Sequence, residues 1–404
     1  MVEIWLPYGA TEVPVRIPDE NLIDILQPRT LDKSPEKIAD NLVWDDVIAT
    51  AKTHGRVCIV IGDNLNKEAI GETTKSLVTV LTTHAGLPAA SLTIIRTPHC
   101  AAIDGLPPDI QDVQHSPINS STVPCEGFSE RDFAPSINQI LINSPVTIAV
   151  GELRLNHLTG FAGLSDTIFP GLASQQSADD ELVRSKPMDP HDLCKERLLM
   201  SSHLPNVFAL GYVLNSDLSP KEAMIGPFNA TVERLCELVR QTSMVEVSKP
   251  ADIVVMSAGG SPFDESLLRA VETFPAGLSV LKRGGALIVA AECARGHGDS
   301  DFFGWLAEKK EARHLEARLR HHFNFNGWKA AFLARALASH RIYLVSTIPD
   351  HHIEHTFGLR AAKTMNAALQ SAQRALGNDA SITAIPNASQ VNPIMHADTG
   401  SKIS

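Results

Sequence analysis

Apolar runs that do not alternate with polar residues recur along the chain, and segments with helical spacing separate them. Three early examples are VCIVI from residue 57, SLTIIR from residue 91 and SPVTIAVGELRL from residue 144. An unbroken apolar run is typical of a strand buried on both faces, because a strand with one solvated face alternates. The pattern therefore predicts a parallel β-sheet with helices on both sides.

A second series of the same kind begins near residue 249. ADIVVMS, ALIVAAEC and RIYLVSTI are predicted strands, and ESLLRAVETFPAGLSVL is predicted as one helix from residue 265. We predict two domains, 1–248 and 249–404, with the last fifteen or so residues assigned to the second domain or packing back on the first. The predicted fold class is α/β, with mainly parallel sheets covered by helices and a ligand crevice between the domains.

The N-terminus has a different pattern. EIWLPYG and EVPVRIP alternate apolar and polar positions on either side of the turn residues GAT. Alternation interrupted by a short turn is typical of a β-hairpin with one solvated face. We therefore predict a hairpin over about the first twenty residues.

Polar side chains follow the predicted buried strands, at the point where each strand ends. Asp63 and Asn66 follow the first strand, His99 follows the second, and Glu152 and His157 lie near the end of the third. In an open parallel sheet ligands bind outside the carboxyl ends of the strands. These positions are therefore the first candidates for a functional site.

The composition of the chain argues against some classes of binding partner. The 404 residues carry 35 basic and 46 acidic side chains, a formal net charge of −11. An acidic chain without a cationic cluster argues against nucleic-acid binding. No apolar run has the length of a membrane helix, and the six cysteines form no CxxC pair, which is typical of reduced thiols in the cytoplasm. An oligomer is compatible with these features.

The stretch NHLTGFAGLSDTIFPGLAS, from residue 156, is rich in small residues and follows a predicted buried strand. Gly160 and Gly163 allow two interpretations. Glycine permits close approach of the backbone to a ligand, and it also permits a positive φ in a turn without any ligand. Both glycines are candidates for cofactor binding.

Four stretches in the same order resemble the nickel-dependent lactate racemases. They are LPYG with IPDENL, INSPVTIAVGELRLNHLTGFAGLSDTIFPGLAS, VVMSAGGSPFDESLLRAV with LKRGGALIVAAECARGHG, and WKAAFLARAL with YLVSTIP. The resemblance covers most of the chain and implies the family's fold and its activity, the interconversion of 2-hydroxy-acid stereoisomers. It also implies the family's cofactor, a nickel-pincer nucleotide that exchanges a hydride with the substrate while histidines move the hydroxyl proton.

The resemblance assigns candidate catalytic residues. The family's first catalytic histidine corresponds to His99, and its second corresponds to Asn156, with His157 as the next residue. Neighbouring side chains in an extended segment point to opposite sides, so His157 serves as the second base only after a one-residue slip. Both histidines are carried forward as catalytic candidates.

Other family positions have changed their chemistry. The family's cofactor-tethering lysine corresponds to Asp166, and a nickel-ligand histidine corresponds to Leu182. Asp166 is a new catalytic acid or base, a metal ligand, or a solvated loop carboxylate. The family's nucleotide-binding Asp-x-x-Arg pair corresponds to Asp63 and Asn66, with Lys67 as an approximate replacement for the lost cation, since an ammonium is not a guanidinium fork.

In the second domain, a Gln-x-x-Lys pair that faces the substrate in the family corresponds to Arg269 and Glu272. Arg269 is a candidate to bind a substrate carboxylate, and the alternative is an ion pair on one helix face. His351 and His355 could share a metal if their segment is helical, and a loop is the other interpretation. The sequence does not identify a metal.

The sequence thus predicts a divergent family member with two functional interpretations. The first is an isomerase, a racemase or epimerase of a small 2-hydroxy-carboxylic acid, in which any nickel-pincer nucleotide is bound non-covalently because Asp166 replaces the lysine. The alternative is a family member without racemase activity, a small-molecule-binding protein or an enzyme of another class that uses the same crevice. Under the alternative the cofactor is absent or of unknown kind.

Overall fold

The computed structural model describes residues 1–29, 42–98, 100–125, 134–185, 190–308 and 311–395. The chain forms two compact units. Unit 1 comprises Met1–Arg29, Asn156–Leu158 and the described part of Thr242–Ser404, and unit 2 comprises the described parts of Thr30–Leu155 and Thr159–Gln241. The sequence-based boundary after residue 248 gave the first 29 residues to the other domain, because local patterns do not reveal pairing between distant strands.

The strands of the described residues are short and mostly apolar. They are β1 (Val2–Tyr8), β2 (Thr11–Ile17), β3 (Leu22–Ile25), β4 (Val57–Ile61), β5 (Leu92–Arg96), β6 (Gln111–Gln114), β7 (Thr122–Pro124), β8 (Ser136–Asn138), β9 (Thr147–Asn156), β10 (Gly160–Gly163), β11 (Val207–Leu214), β12 (Pro220–Pro227), β13 (Met244–Val247), β14 (Ala251–Ser257), β15 (Leu281–Ala290), β16 (Arg341–Val345), β17 (Arg360–Ala361), β18 (Ile382–Ile385) and β19 (Asn392–Met395).

The α-helices lie between these strands. They are α1 (Asp45–His54), α2 (Lys67–Thr79), α3 (Gln139–Ile142), α4 (Gln175–Ser185), α5 (Pro190–Ser201), α6 (Phe228–Ser243), α7 (Leu267–Ala270), α8 (Phe274–Ser279), α9 (Ser300–Ala307), α10 (Ala312–His321), α11 (Phe325–Ser339) and α12 (Met365–Leu376). None of the helices in the described ranges is long and apolar enough to cross a membrane.

Unit 2 is built on one mainly parallel sheet. Its strand order is β12-β11-β9-β4-β5-β6, with β10 pairing against β9, and only the β11–β12 pairing on the main path is antiparallel. All five residues of β4 are buried, because apolar clusters cover both faces of the sheet. The predicted parallel sheet is confirmed. The loops with the candidate residues follow the carboxyl ends of its central strands, β4 and β9.

Unit 1 contains a second sheet, in the order β17-β16-β15-β14-β18-β3, and every pairing within it is parallel. Its edge strand β3 comes from the N-terminus and pairs with β18 near the other end of the chain, with Leu22 opposite Ile382. The predicted N-terminal hairpin is confirmed as β1–β2. The strand β19 pairs with β13, and the remaining C-terminal residues, 396–404, lie outside the described ranges.

The helix predicted over residues 265–281 is interrupted. The structure divides it into α7, a 3-10 turn at Val271–Thr273 and α8, whose first turn contains Pro275. Proline has no backbone N–H to continue the helical ladder, so a helix tends to restart there. The sequence predicted that Arg269 and Glu272 lie on one continuous α-helix. That prediction is wrong, because Arg269 is in α7 and Glu272 is in the 3-10 turn.

Candidate functional site

A network of charged groups connects the carboxyl ends of β4 and β9 in unit 2. The Glu152 side chain is fully buried and accepts hydrogen bonds from the Leu65 N–H at 3.0 and 3.1 Å and from Arg154 Nη1 at 2.9 Å. Arg154 Nη2 also lies 3.8 Å from Asp63 Oδ2. Asn64 adds a third connection, because its Oδ1 accepts the Glu152 N–H. Glu152 therefore fixes the turn that presents Asp63.

Burial controls the protonation of this network. Desolvation raises the pKa of Glu152, although Arg154 and the backbone N–H groups it accepts oppose the shift. Burial also raises the pKa of Tyr212 well above its usual value, and the Tyr212 hydroxyl donates to Asn64 Oδ1 at 3.3 Å. Tyr212 is therefore a neutral hydrogen-bond donor rather than a base.

Asn66 and Lys67 lie at the start of α2. The Asn66 Oδ1 accepts the Ala69 N–H at 2.9 Å as the helix N-cap, and its Nδ2 donates to the Leu218 carbonyl at 2.9 Å. Both ends of the amide thus have structural partners, which explains an asparagine at this position without a ligand. Lys67 is the exposed first residue of the helix.

The two loop glycines both have positive φ, 84° at Gly160 and 92° at Gly163. A Cβ added at Gly163 would lie 2.2 Å from the Glu152 carbonyl oxygen and 3.2 Å from Arg154 Nη1. The turn conformation alone therefore requires glycine at position 163. Cofactor binding by Gly160 and Gly163 stays a prediction.

Asp166 forms one end of a buried chain of charges. Its Oδ1 lies 2.6 Å from Arg197 Nη1, and the other edge of the guanidinium makes a two-bond contact with Glu181, at 2.7 and 3.0 Å. The Arg197 and Glu181 side chains are only 4% and 2% exposed, whereas that of Asp166 is 30% exposed. Burial raises the pKa of Glu181, and the two carboxylates raise that of Arg197 despite desolvation, so the arginine stays charged.

These residues do not fit a tethered nickel-pincer nucleotide. Asp166, which the resemblance sets at the position of the family's lysine, has its carboxylate bound to Arg197. Leu182 has no metal-ligating atom, and the amide of Asn66 is committed to the α2 N-cap. We therefore assign no chemistry in this site to a covalently tethered cofactor.

In unit 1 the structure brings together His157 and Glu272. His157 Nε2 lies 2.7 Å from the Ala388 carbonyl oxygen, so Nε2 carries the proton and Nδ1 carries the lone pair. Desolvation lowers the pKa of His157 to about 4, although Ala388 and the charge of Glu272 oppose the shift. His157 is therefore neutral at neutral pH. The other catalytic candidate, His99, lies outside the described residues.

Glu272 has a cationic partner from a different helix. Lys329, in the first turns of α11, pairs with Glu272 Oε1, and its ammonium lies 4.3 Å from the centre of the Phe325 ring. Lys329 is buried, whereas the Glu272 side chain is 29% exposed. Arg269, in α7, is half-buried. The structure therefore places Glu272, with Lys329 bound to it, close enough to influence the charge of His157.

The low pKa of His157 predicts a pH dependence of stability. The usual value is 6.5 and the folded value is about 4, so the folded state favours the neutral ring. This stabilisation is present above about pH 6.5 and is lost as the pH falls through 4. Between pH 7 and 4 we expect the wild type to lose about 1–3 kcal/mol more unfolding free energy than His157→Gln, whose amide can still donate to Ala388. Urea unfolding at both pH values measures the difference, and identical pH dependences would contradict the burial of a neutral ring.

Sequence reasoning missed three of these groups. Arg154 follows Glu152 by two residues in β9, and strand periodicity could have placed both on one face. Lys329 is the one lysine in α11, next to the buried Ala330 and Ala331, and a charge in an apolar helix signals a buried pair. Arg197 had no comparable local signal.

A metal centre is not evident from the side chains. In the ranges that the structure describes, no group of three or more His, Cys, Asp or Glu residues could hold a metal ion. His351 precedes a wide helical turn at His352–Thr356 that includes His355. A metal held by His351 and His355 gains no support from a third ligand among these residues.

Comparison with known proteins gives a consistent result. Residues 246–392 match the lactate racemase C-terminal domain family. The chain is 25% identical to the lactate racemase of Thermoanaerobacterium thermosaccharolyticum and 24% identical to that of Lactiplantibacillus plantarum, covering 96% of this chain and 98% of each relative.

Solved structures agree on the fold. The lactate racemase apoprotein from T. thermosaccharolyticum matches with a TM-score of 0.83 at 23% identity, over 98% of this chain and all of that chain. A protein from Thermotoga maritima matches with a TM-score of 0.63 at 16% identity, over 87% of this chain and 97% of that chain. The match thus identifies residues 246–392 as a lactate racemase C-terminal domain, and over nearly its whole length the chain is similar to lactate racemases.

Proposed function

We propose that this protein is an isomerase of the lactate racemase type that binds a small 2-hydroxy-carboxylic acid and interconverts its stereoisomers. The observation that carries the proposal is the state of His157. A histidine that is neutral at neutral pH, with its donor nitrogen fixed on a carbonyl, presents the other nitrogen as a proton acceptor. The low pKa of His157 keeps the ring unprotonated at neutral pH, and it also makes the ring a weaker base.

Two charged residues of unit 1, Arg269 and Glu272, are the proposed binding groups for a hydroxy-acid substrate. Arg269 is the proposed partner of the substrate carboxylate, since a guanidinium binds a carboxylate through two hydrogen bonds. Glu272 is held by Lys329 and is partly exposed, which allows it to accept a hydrogen bond from a substrate hydroxyl. The roles of His99 as the opposing base and of Asp63 and Lys67 in cofactor binding remain proposals from the resemblance.

Any nickel-pincer nucleotide that this protein uses is held without a covalent link. The reason is the Asp166–Arg197–Glu181 network at the position of the family's tether. A bound nucleotide would then leave on denaturation, and the mass of the denatured chain would equal that of the sequence alone.

The test combines a binding measurement with an activity measurement. The protein is produced with and without the enzymes that mature the pincer cofactor, and each sample is analysed for nickel and for a released nucleotide by mass spectrometry. Racemisation of single enantiomers of 2-hydroxy acids is followed by chiral chromatography. We expect nickel, a released nucleotide and racemisation only after co-production.

Two variants test whether His157 contributes to the reaction rate. His157→Gln keeps the contact with Ala388 but removes the basic nitrogen, and we expect it to lose at least about tenfold in rate, since a general base contributes about 10²–10⁴-fold. The control, His314→Gln, changes an exposed histidine on α10 and should leave the rate unchanged. Equal rates for the wild type and His157→Gln would refute a catalytic role for His157.

One observation favours the alternative, a family member without racemase activity. One oxygen of the carboxylate at position 166 is bound to an internal arginine, as expected for a loop stabilised without a cofactor. A chain that binds 2-hydroxy acids by calorimetry, yet carries no nickel or nucleotide after co-production and racemises none of them, would establish this alternative.

A further inference from the structure

Two buried thiols lie next to each other beneath the glycine-rich loop of unit 2. Cys194 on α5 and Cys236 on α6 have their sulfur atoms 3.9 Å apart, and either thiol can donate to the other. The two residues are 6% and 3% exposed and belong to the same apolar cluster, together with Phe161 and Leu164 of the loop. They are 42 positions apart in sequence, so only the fold brings them together.

Each thiol is one helical turn from an arginine that contacts the loop. Arg197, three residues after Cys194, holds Asp166, and Arg240, four residues after Cys236, has its guanidinium 5.3 Å from the centre of the Phe161 ring. These cations favour a thiolate, and the hydrogen bond from Cys236 is the main cause that lowers the pKa of Cys194. A thiolate is the form that reacts with oxidants.

We propose that Cys194 and Cys236 are an oxidative modification site, which a hydroperoxide converts into a disulfide that fastens α5 to α6. With hydrogen peroxide, the Cys194 thiolate attacks one oxygen, the O–O bond breaks, and the sulfur becomes a sulfenic acid. The other oxygen leaves as hydroxide and takes up the proton that the thiol released, which gives one water. The Cys236 thiol then displaces the hydroxyl from that sulfur, so the S–S bond forms and a second water leaves. The two thiols lose two electrons and the peroxide gains them. The sulfur atoms must approach from 3.9 Å to about 2.05 Å, which side-chain rotation and a small helix shift can supply.

The bond would act on the loop through Arg197. Fastening α5 restricts the helix that carries this arginine, and Arg197 in turn holds Asp166. The Asp166 carbonyl accepts the Gly171 N–H at 2.8 Å, so the exchange of that amide reports on the order of the loop. We expect oxidation to slow it several-fold, because a cross-link limits local opening.

Mass spectrometry tests the modification directly. The full chain is treated with hydrogen peroxide, blocked with iodoacetamide, digested without reductant and searched for a Cys194–Cys236 cross-linked peptide, about 2 Da lighter than the sum of its reduced parts. We expect the cross-link in the wild type, its loss in Cys194→Ser and Cys236→Ser, its retention in Cys58→Ser, and its reversal by dithiothreitol. Cys58, on β4, is a buried cysteine of the same apolar cluster, so it controls for burial in that cluster.

Hydrogen exchange of the peptide around Gly171 then tests the consequence. A cross-link with unchanged exchange would overturn the coupling to the loop. Sulfinic acid at Cys194 without a cross-link, or no reaction at either thiol while other cysteines are oxidised, would overturn the proposal. The serine variants are first compared with the wild type by circular dichroism. If one of them does not fold, Cys194→Ala or Cys236→Ala replaces it, because alanine adds no polar group to the core.

Discussion

Replacing Arg197 with methionine should lower the free energy of unfolding by about 3–5 kcal/mol, since it leaves the buried carboxylate of Glu181 and that of Asp166 without their shared cation. The Glu181 side chain is 2% exposed and makes two hydrogen bonds with the guanidinium, so water cannot replace the lost partner. Urea unfolding followed by circular dichroism measures the loss. Arg197→Lys keeps the charge without the planar fork and should give an intermediate loss.

A matched control is available on α10. Arg313 pairs with Glu311 at 2.7 Å, with side chains 74% and 67% exposed, and Arg313→Met should cost less than about 1 kcal/mol. The double variant Arg197→Met, Glu181→Met removes the buried charge together with its partner and should regain part of the loss. Equal losses for the variants at positions 197 and 313 would show that the Asp166–Arg197–Glu181 network does not stabilise the fold.

The change Gly163→Ala is expected to destabilise the protein by about 3–5 kcal/mol, at the upper end of single substitutions. Two effects combine: the added Cβ would lie 2.2 Å from a carbonyl oxygen of β9, and φ is 92°, where non-glycine residues are strained. The clash involves backbone, so no side-chain rotation relieves it. The unfolding midpoint in urea measures the effect.

The comparison for this variant is Gly71→Ala in α2. A Cβ at Gly71 meets nothing within 4 Å, and alanine is the better helix former, so Gly71→Ala should be neutral or stabilise by up to about 1 kcal/mol. If both alanine variants unfold at the wild-type midpoint, the loop does not require the positive φ that the structure shows at Gly163.

Much of the fold was predictable because a strand buried on both faces has apolar residues at consecutive positions. VCIVI has no polar position, and the structure buries β4 on both faces. The interrupted helix around Glu272 was missed because apolar spacing continues through Pro275, although the backbone ladder cannot. The pairing of β3 with β18 was also missed, since no local pattern records a partner 360 residues away, from Leu22 to Ile382.

For the candidate site, the sequence indicated which residues matter but not which residues they contact. It singled out Asp166 as a changed residue, but only the structure shows that Arg197 binds it. It left His157 as a neighbour of the expected position, and the Ala388 carbonyl that fixes its tautomer comes from a part of the chain 231 residues away. Charge, burial and tautomer depend on such distant contacts, which residue spacing does not encode.

Unit 1 is built from segments that are far apart in the sequence, and this affects how it folds during synthesis on the ribosome. The residues of unit 2 are complete once residue 241 has been made, whereas β3 waits for β18, which begins at Ile382. The 360 residues from Leu22 to Ile382 take on the order of tens of seconds at about 5–20 residues per second. During that time β3 lacks the strand with which it pairs. β3 therefore docks late, and N-terminal tags that slow or obstruct this docking should reduce the yield of folded protein.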